Sequence, residues 1–247
     1  MPDAALNFDA FVLAASTDSL ADEPAAREHA DAVEFRLDLA DDPLDQLAAY
    51  DRDLPIIATN RAVWEGGEAT DEDARLDTLA TAIEHDAVAA VDLELGVLTG
   101  TADADAVDDA ADRAREIRAS ARDRNVSVIA SIHDFEATPP VAELTERLRL
   151  ASEEGDIAKL ATTATDRGDA LDLLAATHRA TAAGRRVATM GMGEAGQHTR
   201  AVAPVYGSKI GYAPVDAADA TAPGQYPLAT LRELVDGLTT PAANTDV

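Results

Sequence analysis

Short apolar segments alternate with longer segments of helical periodicity along almost the whole chain, and the alternation repeats eight times. We predict strands at residues 11–15, 32–39, 55–60, 89–95, 126–132, 156–161, 186–190 and 209–212. Helices are predicted near residues 22–30, 43–50, 71–85, 103–123, 140–153, 167–183, 196–204 and 227–238. Eight strands that are each followed by a helix predict an α/β fold, the (β/α)8 or TIM barrel. An open, doubly wound sheet is the main alternative at this length.

The chain is expected to form a single domain. No Gly/Ser-rich linker, internal repeat or abrupt change of composition divides its 247 residues. We therefore assign residues 1–238 to one catalytic barrel domain. Residues 239–247 are small and polar, and we predict a flexible C-terminal tail there.

The charge of the chain is strongly negative, because 47 acidic residues stand against 20 basic ones, a formal net charge of −27. Such a surface repels nucleic acid phosphates and anionic lipids, so we expect neither as a partner. There is no apolar run long enough to span a membrane and no basic secretory signal, which predicts a cytoplasmic protein. Scarce lysine and abundant carboxylate indicate a halophilic protein from a salt-rich cytoplasm, where repulsion is screened. With no cysteine, disulfides and thiolate chemistry are excluded.

Charged residues interrupt several predicted strands with a period of two. Glu34, Arg36 and Asp38 share one face of their strand, and Asp92 and Glu94 share one face of another. Both faces of a parallel strand are normally apolar. If the helices cover the apolar face, these charges point into the barrel, where they must pair or line a wet pocket. A polar cavity is therefore predicted at the carboxyl ends of the strands, where barrel enzymes place their active sites.

Lys159 is the strongest candidate for catalysis. It lies within an apolar strand between Ile157 and Ala161 on its own face, and the only other lysine of the chain is Lys209. Poor solvation favours the neutral amine, which is the nucleophile of Schiff-base chemistry. A buried ion pair with an inward carboxylate is the alternative.

His133 is the candidate general acid and base, because it follows a predicted strand at its carboxyl end. A structural histidine that caps the loop is the alternative. Of the other histidines, His29, His85 and His178 fall in predicted helices and are interpreted as surface residues. His198 lies in a glycine-rich segment, and its role stays open.

Three loops complete the candidate cavity. Arg61 follows a strand and precedes the pair Gly66-Gly67, which suits a tight loop over a ligand. Residues 192–200 and 221–225 are late, glycine-containing segments of the kind that bind phosphate in many barrels, so a phosphate-binding aldolase or isomerase is an alternative. Neither segment matches a P-loop or a dinucleotide fingerprint. No spacing of His, Asp and Glu predicts a metal site, and we expect no metal and no organic cofactor.

Eight blocks together resemble the type I 3-dehydroquinate dehydratase family and follow its order. They are EFRLD (34–38), RAVWEGG (61–67), DLE (92–94), HDFEATP (133–139), DIAK (156–159), MGEAGQHTR (192–200), YGS (206–208) and APGQ (222–225). The resemblance implies a hydro-lyase of the shikimate pathway of aromatic amino acid biosynthesis, which dehydrates 3-dehydroquinate to 3-dehydroshikimate. It also implies that Lys159 forms a Schiff base with the substrate ketone. His133 would act as general acid and base in a syn elimination, and Glu65 would orient His133.

The resemblance further implies a set of substrate-binding residues. These are Glu34, Arg36, Arg61, Met192, Arg200, Tyr212, Thr221 and Gln225. Arg200 and Gln225 would bind the substrate carboxylate, while Met192 and Tyr212 would pack over the ring. The partner implied is this small molecule alone, with a homodimer as an open possibility.

Two positions depart from the family pattern. Thr221 replaces a common serine and keeps the hydroxyl, whereas Asn60 replaces a common aromatic residue beside Arg61. Another Schiff-base barrel enzyme of the class I aldolase type is the nearest alternative, and a catalytically silent barrel that acts as a scaffold is a more distant one.

Overall fold

The computed structural model of the chain describes residues 6–51, 53–102, 107–215, 222 and 224–240. Its eight strands are β1 (Val12–Thr17), β2 (Ala32–Arg36), β3 (Ile56–Thr59), β4 (Val88–Glu94), β5 (Ser127–Asp134), β6 (Ile157–Thr163), β7 (Val187–Met192) and β8 (Ile210–Pro214). They form one parallel sheet in the order β7-β6-β5-β4-β3-β2-β1-β8.

The two ends of this sheet meet between β7 and β8. Val187 and Ser208 form a parallel bridge, and the Lys209 N–H donates to the Val187 carbonyl at 2.7 Å. The Thr189 N–H donates to the Ser208 hydroxyl at 3.0 Å. The sheet is thus rolled into a nearly closed barrel. The predicted (β/α)8 architecture is confirmed, and the open-sheet alternative is excluded.

Ten α-helices lie within the described residues. They are α1 (Glu23–Ala26), α2 (Pro43–Ala48), α3 (Glu72–Ala82), α4 (Leu95–Thr99), α5 (Val107–Asp123), α6 (Val141–Glu154), α7 (Arg167–Ala182), α8 (Gly193–Gly196), α9 (Thr199–Val202) and α10 (Leu228–Thr239). Asp71 and Asp166 begin α3 and α7, each accepting hydrogen bonds from backbone N–H groups of the first turn. None of the described helices is both long and apolar enough to cross a membrane.

The structure differs from the predicted elements in several places. Strand β5 runs on to Asp134, so His133 lies at the carboxyl end of the strand rather than directly after it, and α1 covers only part of the predicted helix 22–30. Strand β2 ends at Arg36 rather than at residue 39, because the chain turns there and Arg36 binds Asp38 two residues later. The unpredicted helix α4 follows β4 directly and ends at Gly100, which has a φ of 70°. The predicted helix 196–204 is divided between α8, α9 and a 3-10 turn. The turn replaces α9 from Ala203 onward, because Pro204 has no N–H with which to continue an α-helix.

Alternation along the strands divides the core into two parts. On β6, Ala158 and Leu160 pack outward against the helices, whereas Ile157 and Ala161 face the barrel interior. The lower interior is filled by branched side chains, among them Val12, Ile57, Ile129 and Ile210. The apolar filling supports a polar layer above it. Helix α10 ends at Thr239, and because residues 241–247 lie outside the described part, the flexible tail stays a prediction.

Candidate active site

A cavity opens at the carboxyl ends of the strands, with about 550 Å³ of empty space that includes some open solvent. Ten of the residues predicted for the site line it: Glu34, Arg36, Arg61, Glu65, His133, Lys159, Met192, Arg200, Tyr212 and Gln225. Thr221 lies outside the described residues. The structure therefore brings together every predicted site residue that it describes.

Lys159 points from the middle of β6 into the base of this cavity and is 4% exposed. Its Nζ donates to Asp92 Oδ2 at 2.9 Å and lies 3.6 Å from Glu34 Oε1. The same atom lies 4.3 Å from the ring centroid of Tyr212, within the range of a cation–π contact. The amine is thus held by two carboxylates and one aromatic ring, with access to the cavity.

Asp92, on β4, is the charged centre of the buried network. Its Oδ2 is 2.8 Å from the Arg61 guanidinium, and its Oδ1 accepts a hydrogen bond from the Ser131 hydroxyl at 2.6 Å. Burial alone would raise the pKa of Asp92, but Arg61, Lys159 and the Ser131 hydroxyl outweigh it and hold the pKa well below its usual range. Asp92 therefore stays ionised beside the lysine.

Arg61 links Asp92 to a second carboxylate. Its Nη1 donates to Glu94 Oε1 at 3.0 Å and to the Ser131 hydroxyl at 2.7 Å. The other oxygen of Glu94 accepts a hydrogen bond at 2.7 Å from Arg75, a residue of helix α3. Two arginines and two carboxylates thus alternate in one buried chain that ends at Lys159.

His133 and Glu65 form a second unit higher in the cavity. The register pairs Ser131 with Lys159 and His133 with Ala161, so His133 lies two residues nearer the mouth than the lysine. Its Nδ1 is 2.6 Å from Glu65 Oε2, and the ring of Phe135 stacks on the imidazole with centroids 6.0 Å apart. The Nδ1 atom is therefore engaged.

Burial opposes charge on both members of this pair. It lowers the pKa of His133 well below 6.5, and the cations Arg61 and Lys159 lower it further. Burial raises the pKa of Glu65 to about 8; Glu94 and Asp92 add to the rise, while Arg61 opposes it. The pair therefore favours a form without separated charges at neutral pH.

The remaining wall is built from hydroxyls and a second ion pair. Glu34 accepts hydrogen bonds from the Ser16 hydroxyl and, at 3.1 Å, from the Thr59 hydroxyl. Arg36 binds Asp38 through two hydrogen bonds of 2.9 and 2.6 Å. These contacts hold both charged side chains in the wall of the cavity.

The opposite side of the cavity is mostly apolar, with one cation. Met192 ends β7 and Tyr212 lies on β8, and both are almost completely buried. Arg200, on α9, is 5% exposed, and burial lowers its pKa to about 10. Gln225 accepts a hydrogen bond from the Ala222 N–H at 3.1 Å. A guanidinium beside an apolar wall suits a small anion with a ring.

Four members of the network were not assigned to the site from the sequence: Asp92, Glu94, Ser131 and Arg75. Strand alternation places Asp92 inside the barrel, but only the register shows that Lys159 is its partner. Ser131 has the same inward position, in line with Lys159. Arg75 carries no such signal, because arginine in a helix is usually a surface residue.

Fold and cavity together define a (β/α)8-barrel enzyme with a buried amine, an imidazole and several guanidinium groups around one polar pocket. A family model described as type I 3-dehydroquinase matches residues 11–240. The chain therefore belongs to the type I 3-dehydroquinase family.

Relatives and solved structures agree with this membership. A 3-dehydroquinate dehydratase of Haloarcula marismortui is 57% identical over 233 residues, covering 94% of this chain and 98% of the relative. One of Halobacterium salinarum is 52% identical over 94% of this chain and 100% of the relative. Both organisms are haloarchaea, which supports the halophilic interpretation of the charge. The crystal structure of 3-dehydroquinate dehydratase from Geobacillus kaustophilus has a TM-score of 0.79 at 25% identity and covers 94% of this chain and 92% of that one.

Proposed function

We propose that this chain is a hydro-lyase that dehydrates 3-dehydroquinate to 3-dehydroshikimate through a Schiff base on Lys159. Family membership supports the overall reaction and favours it over carbon–carbon bond chemistry of the aldolase type. The observation that carries the mechanism is the position of Lys159 Nζ, 2.9 Å from Asp92 at the base of the cavity and below the His133–Glu65 pair.

The first step is condensation of the amine with the C3 ketone of the substrate, which releases one water. Only the neutral amine can attack, so the ammonium must first lose a proton. In the resulting protonated imine, positive nitrogen accepts the electrons that the C2 carbanion releases, which a ketone does less well. Asp92 and Glu34 lie where they stabilise the cationic nitrogen.

The second step is elimination across C1 and C2, with His133 as the proton carrier. Because Glu65 engages Nδ1, the other ring nitrogen, Nε2, serves the substrate. Nε2 takes the C2 proton and returns it to the C1 hydroxyl as that group leaves as water. One imidazole suffices when both groups depart from the same face. Hydrolysis of the imine then consumes one water and frees Lys159, so the net change is the loss of one water.

Arg200 and Gln225 bind the substrate carboxylate in this proposal, while Glu34, Arg36 and Arg61 contact the ring hydroxyls or order the pocket. Met192 and Tyr212 supply apolar surface for the carbon ring, and Thr221 adds a hydroxyl at the mouth. An arginine–carboxylate contact acts at short range, so it holds an anion despite the net charge of −27.

The proposal is tested by trapping the imine. Wild-type protein is incubated with 3-dehydroquinate, reduced with borohydride and digested for mass spectrometry. A stable secondary amine is expected on Lys159, together with loss of dehydratase activity.

Lys209 is the matched control within the same molecule. It immediately precedes β8 at the amino end of the barrel, and its Nζ donates to the exposed Asp9 carbonyl at 2.6 Å. Lys159→Ala should lose labelling and activity, whereas Lys209→Ala should keep both. Substrate-dependent labelling of Lys209, or full activity in Lys159→Ala, would refute the mechanism.

A further inference from the structure

Arg75 lies in helix α3, behind the cavity wall, yet its side chain has no solvent exposure. Its Nη1 donates to Glu94 Oε2 at 2.7 Å and to the Asn60 carbonyl at 3.0 Å, and it also pairs with Glu72. The Asn60 side chain donates in return to the Arg75 carbonyl at 3.0 Å. Since a buried charge is costly unless it is paired, the position of Arg75 depends on these partners.

The Arg75 and Asn60 contacts join α3 to the barrel next to Arg61. Asn60 is the residue that immediately precedes Arg61 and departs from the family pattern. Its two reciprocal bonds with Arg75 fix the chain at the point where Arg61 enters the cavity. Arg75 therefore acts on Arg61 through the backbone as well as through the shared carboxylate.

The positive charge of Arg61 is shared between two carboxylates, Glu94 and Asp92. Glu94 is satisfied on one oxygen by Arg75 and on the other by Arg61. Because Arg75 neutralises much of Glu94, the charge of Arg61 remains available to Asp92 at 2.8 Å. Asp92 Oδ2 is the same atom that holds Lys159 at 2.9 Å. The more Arg61 compensates Asp92, the less strongly Asp92 retains the lysine as an ammonium.

We infer that Arg75 is a positioning residue that, through Glu94 and Arg61, controls how readily Lys159 becomes the free amine. This rests on the proposed function of Lys159. Arg75 lies outside the cavity lining, so its effect must pass through the groups that face Lys159. Those groups are Glu34 from β2, Asp92 from β4, His133 from β5, Tyr212 from β8 and Arg61 from the loop after β3.

The test is the pH dependence of imine formation in Arg75→Met. Imine formed with 3-dehydroquinate during a fixed interval at each pH is trapped with borohydride and quantified on Lys159 by mass spectrometry. Without Arg75, Glu94 competes for Arg61, and Asp92 holds the ammonium more tightly. The pH of half-maximal trapping should rise by about one unit, a tenfold smaller free-amine fraction at a given pH. Trapping should approach the wild-type rate at high pH.

Three further variants separate charge from packing. Arg75→Lys restores the charge and should recover at least half of the shift. Glu94→Gln removes the competitor for Arg61 and should move the profile in the opposite direction, to lower pH. Arg113→Met is the control. Arg113, on α5, pairs at 2.8 Å with Asp77, which lies on the exposed side of α3, the helix that carries Arg75. Its profile should match the wild type.

A folded Arg75→Met variant with the wild-type profile would overturn the inference. If that variant does not fold, Glu94→Gln still tests the inference. An unchanged or upward-shifted pH profile would show that Glu94 and Asp92 do not compete for the charge of Arg61. Absence of trapped imine in the wild type would instead reject the function of Lys159 itself.

Discussion

At the residue scale, the pair formed by His133 and Glu65 behaves as one titrating unit. With the pKa of Glu65 raised to about 8 and that of His133 lowered well below 6.5, the folded pair holds one more proton near neutral pH than the unfolded chain does. In that form the proton lies between Glu65 and Nδ1, and Nε2 carries its own hydrogen. Nε2 becomes a base once the pair has lost one proton.

Two quantities should therefore change in opposite directions as the pH rises from about 6.5 to about 8. The free energy of unfolding should fall, because the folded protein holds the Glu65 proton more tightly than the unfolded chain does. The stability that this proton contributes is lost as the pH rises to the folded pKa of about 8. The value of kcat/KM should rise, because the base is released. Between about 4.5 and 6.5 the shifts of the two groups oppose each other, so this pair adds little pH dependence to stability.

Denaturant titrations and kcat/KM profiles across this range check the prediction. Glu65→Gln keeps the size of the side chain but cannot titrate, so both changes should be absent or much smaller in it. Identical profiles in the wild type and this variant would show that the pair does not titrate as one unit.

Residue-level prediction from the sequence succeeded where a residue's position on a strand decides where its side chain points. Glu34, Asp92 and Lys159 face inward as the alternation requires. Partner choice was not predictable, because the pairing of Asp92 with Lys159 depends on the register of β4, β5 and β6 together. Helical periodicity likewise could not distinguish the buried Arg75 from an ordinary surface arginine.

At the element scale, the loop after β3 determines whether Glu65 reaches His133. Gly67 is closely packed in this loop, since a Cβ atom added there would lie 2.1 Å from the Arg61 carbonyl oxygen. The Gly67 N–H donates to the Ala62 carbonyl at 2.9 Å and closes the turn that carries Glu65. The conformation of this turn thus depends on the absence of a side chain at position 67.

Gly67→Ala should displace the loop, since the clash is with backbone atoms that cannot rotate away. We expect kcat/KM to fall by roughly ten- to a hundredfold, because a shift of about 1 Å in a catalytic group can cost about 10² in rate. Steady-state kinetics and a thermal melt measure the outcome.

Gly237→Ala is the matched control for Gly67→Ala, because it makes the same substitution far from the loop after β3. Gly237 lies in α10, where an added Cβ atom meets nothing within 4 Å. Alanine is the better helix former by about 1 kcal/mol, so this variant should melt at a higher temperature with unchanged activity. Wild-type activity in Gly67→Ala would contradict the role given to the loop.

The elements themselves followed the sequence closely because periodicities of 2 and 3.6 residues are local properties. Errors arose where tertiary contacts end an element. Asp38, just past the end of β2, accepts a hydrogen bond from the Glu68 N–H at 3.2 Å, and Thr199 accepts one from the Gly191 N–H where the α8–α9 segment packs against β7. Neither contact could be inferred from a local pattern.

At the scale of the whole molecule, excess negative charge is the main electrostatic property. Many arginines already pair with carboxylates on helix surfaces, as Arg149 does with Glu146 and Glu153. Acidic residues nevertheless number 47 against 20 basic ones, so negative charge remains in large excess. Their mutual repulsion destabilises the compact state.

The melting temperature should therefore increase as KCl rises from about 0.1 to about 1 M, a range over which the Debye length falls from about 10 to about 3 Å. Scanning calorimetry or circular dichroism measures the change. KCl is preferred because sulfate strengthens the burial of apolar surface whatever the protein charge. A melting temperature that stays constant over this range would contradict the halophilic interpretation.

We expect the barrel to open locally at the seam between β7 and β8 more readily than elsewhere. Elsewhere each strand pairs with its neighbours through several successive residues, but here the described contacts are the Val187–Ser208 bridge, the Lys209 N–H bond to the Val187 carbonyl and the Thr189 N–H bond to the Ser208 hydroxyl. Amide protons along this edge should exchange with deuterated solvent sooner than those of β4 to β6. Since Met192 and Tyr212 lie on the two strands of the seam, each such fluctuation would widen the pocket from the side.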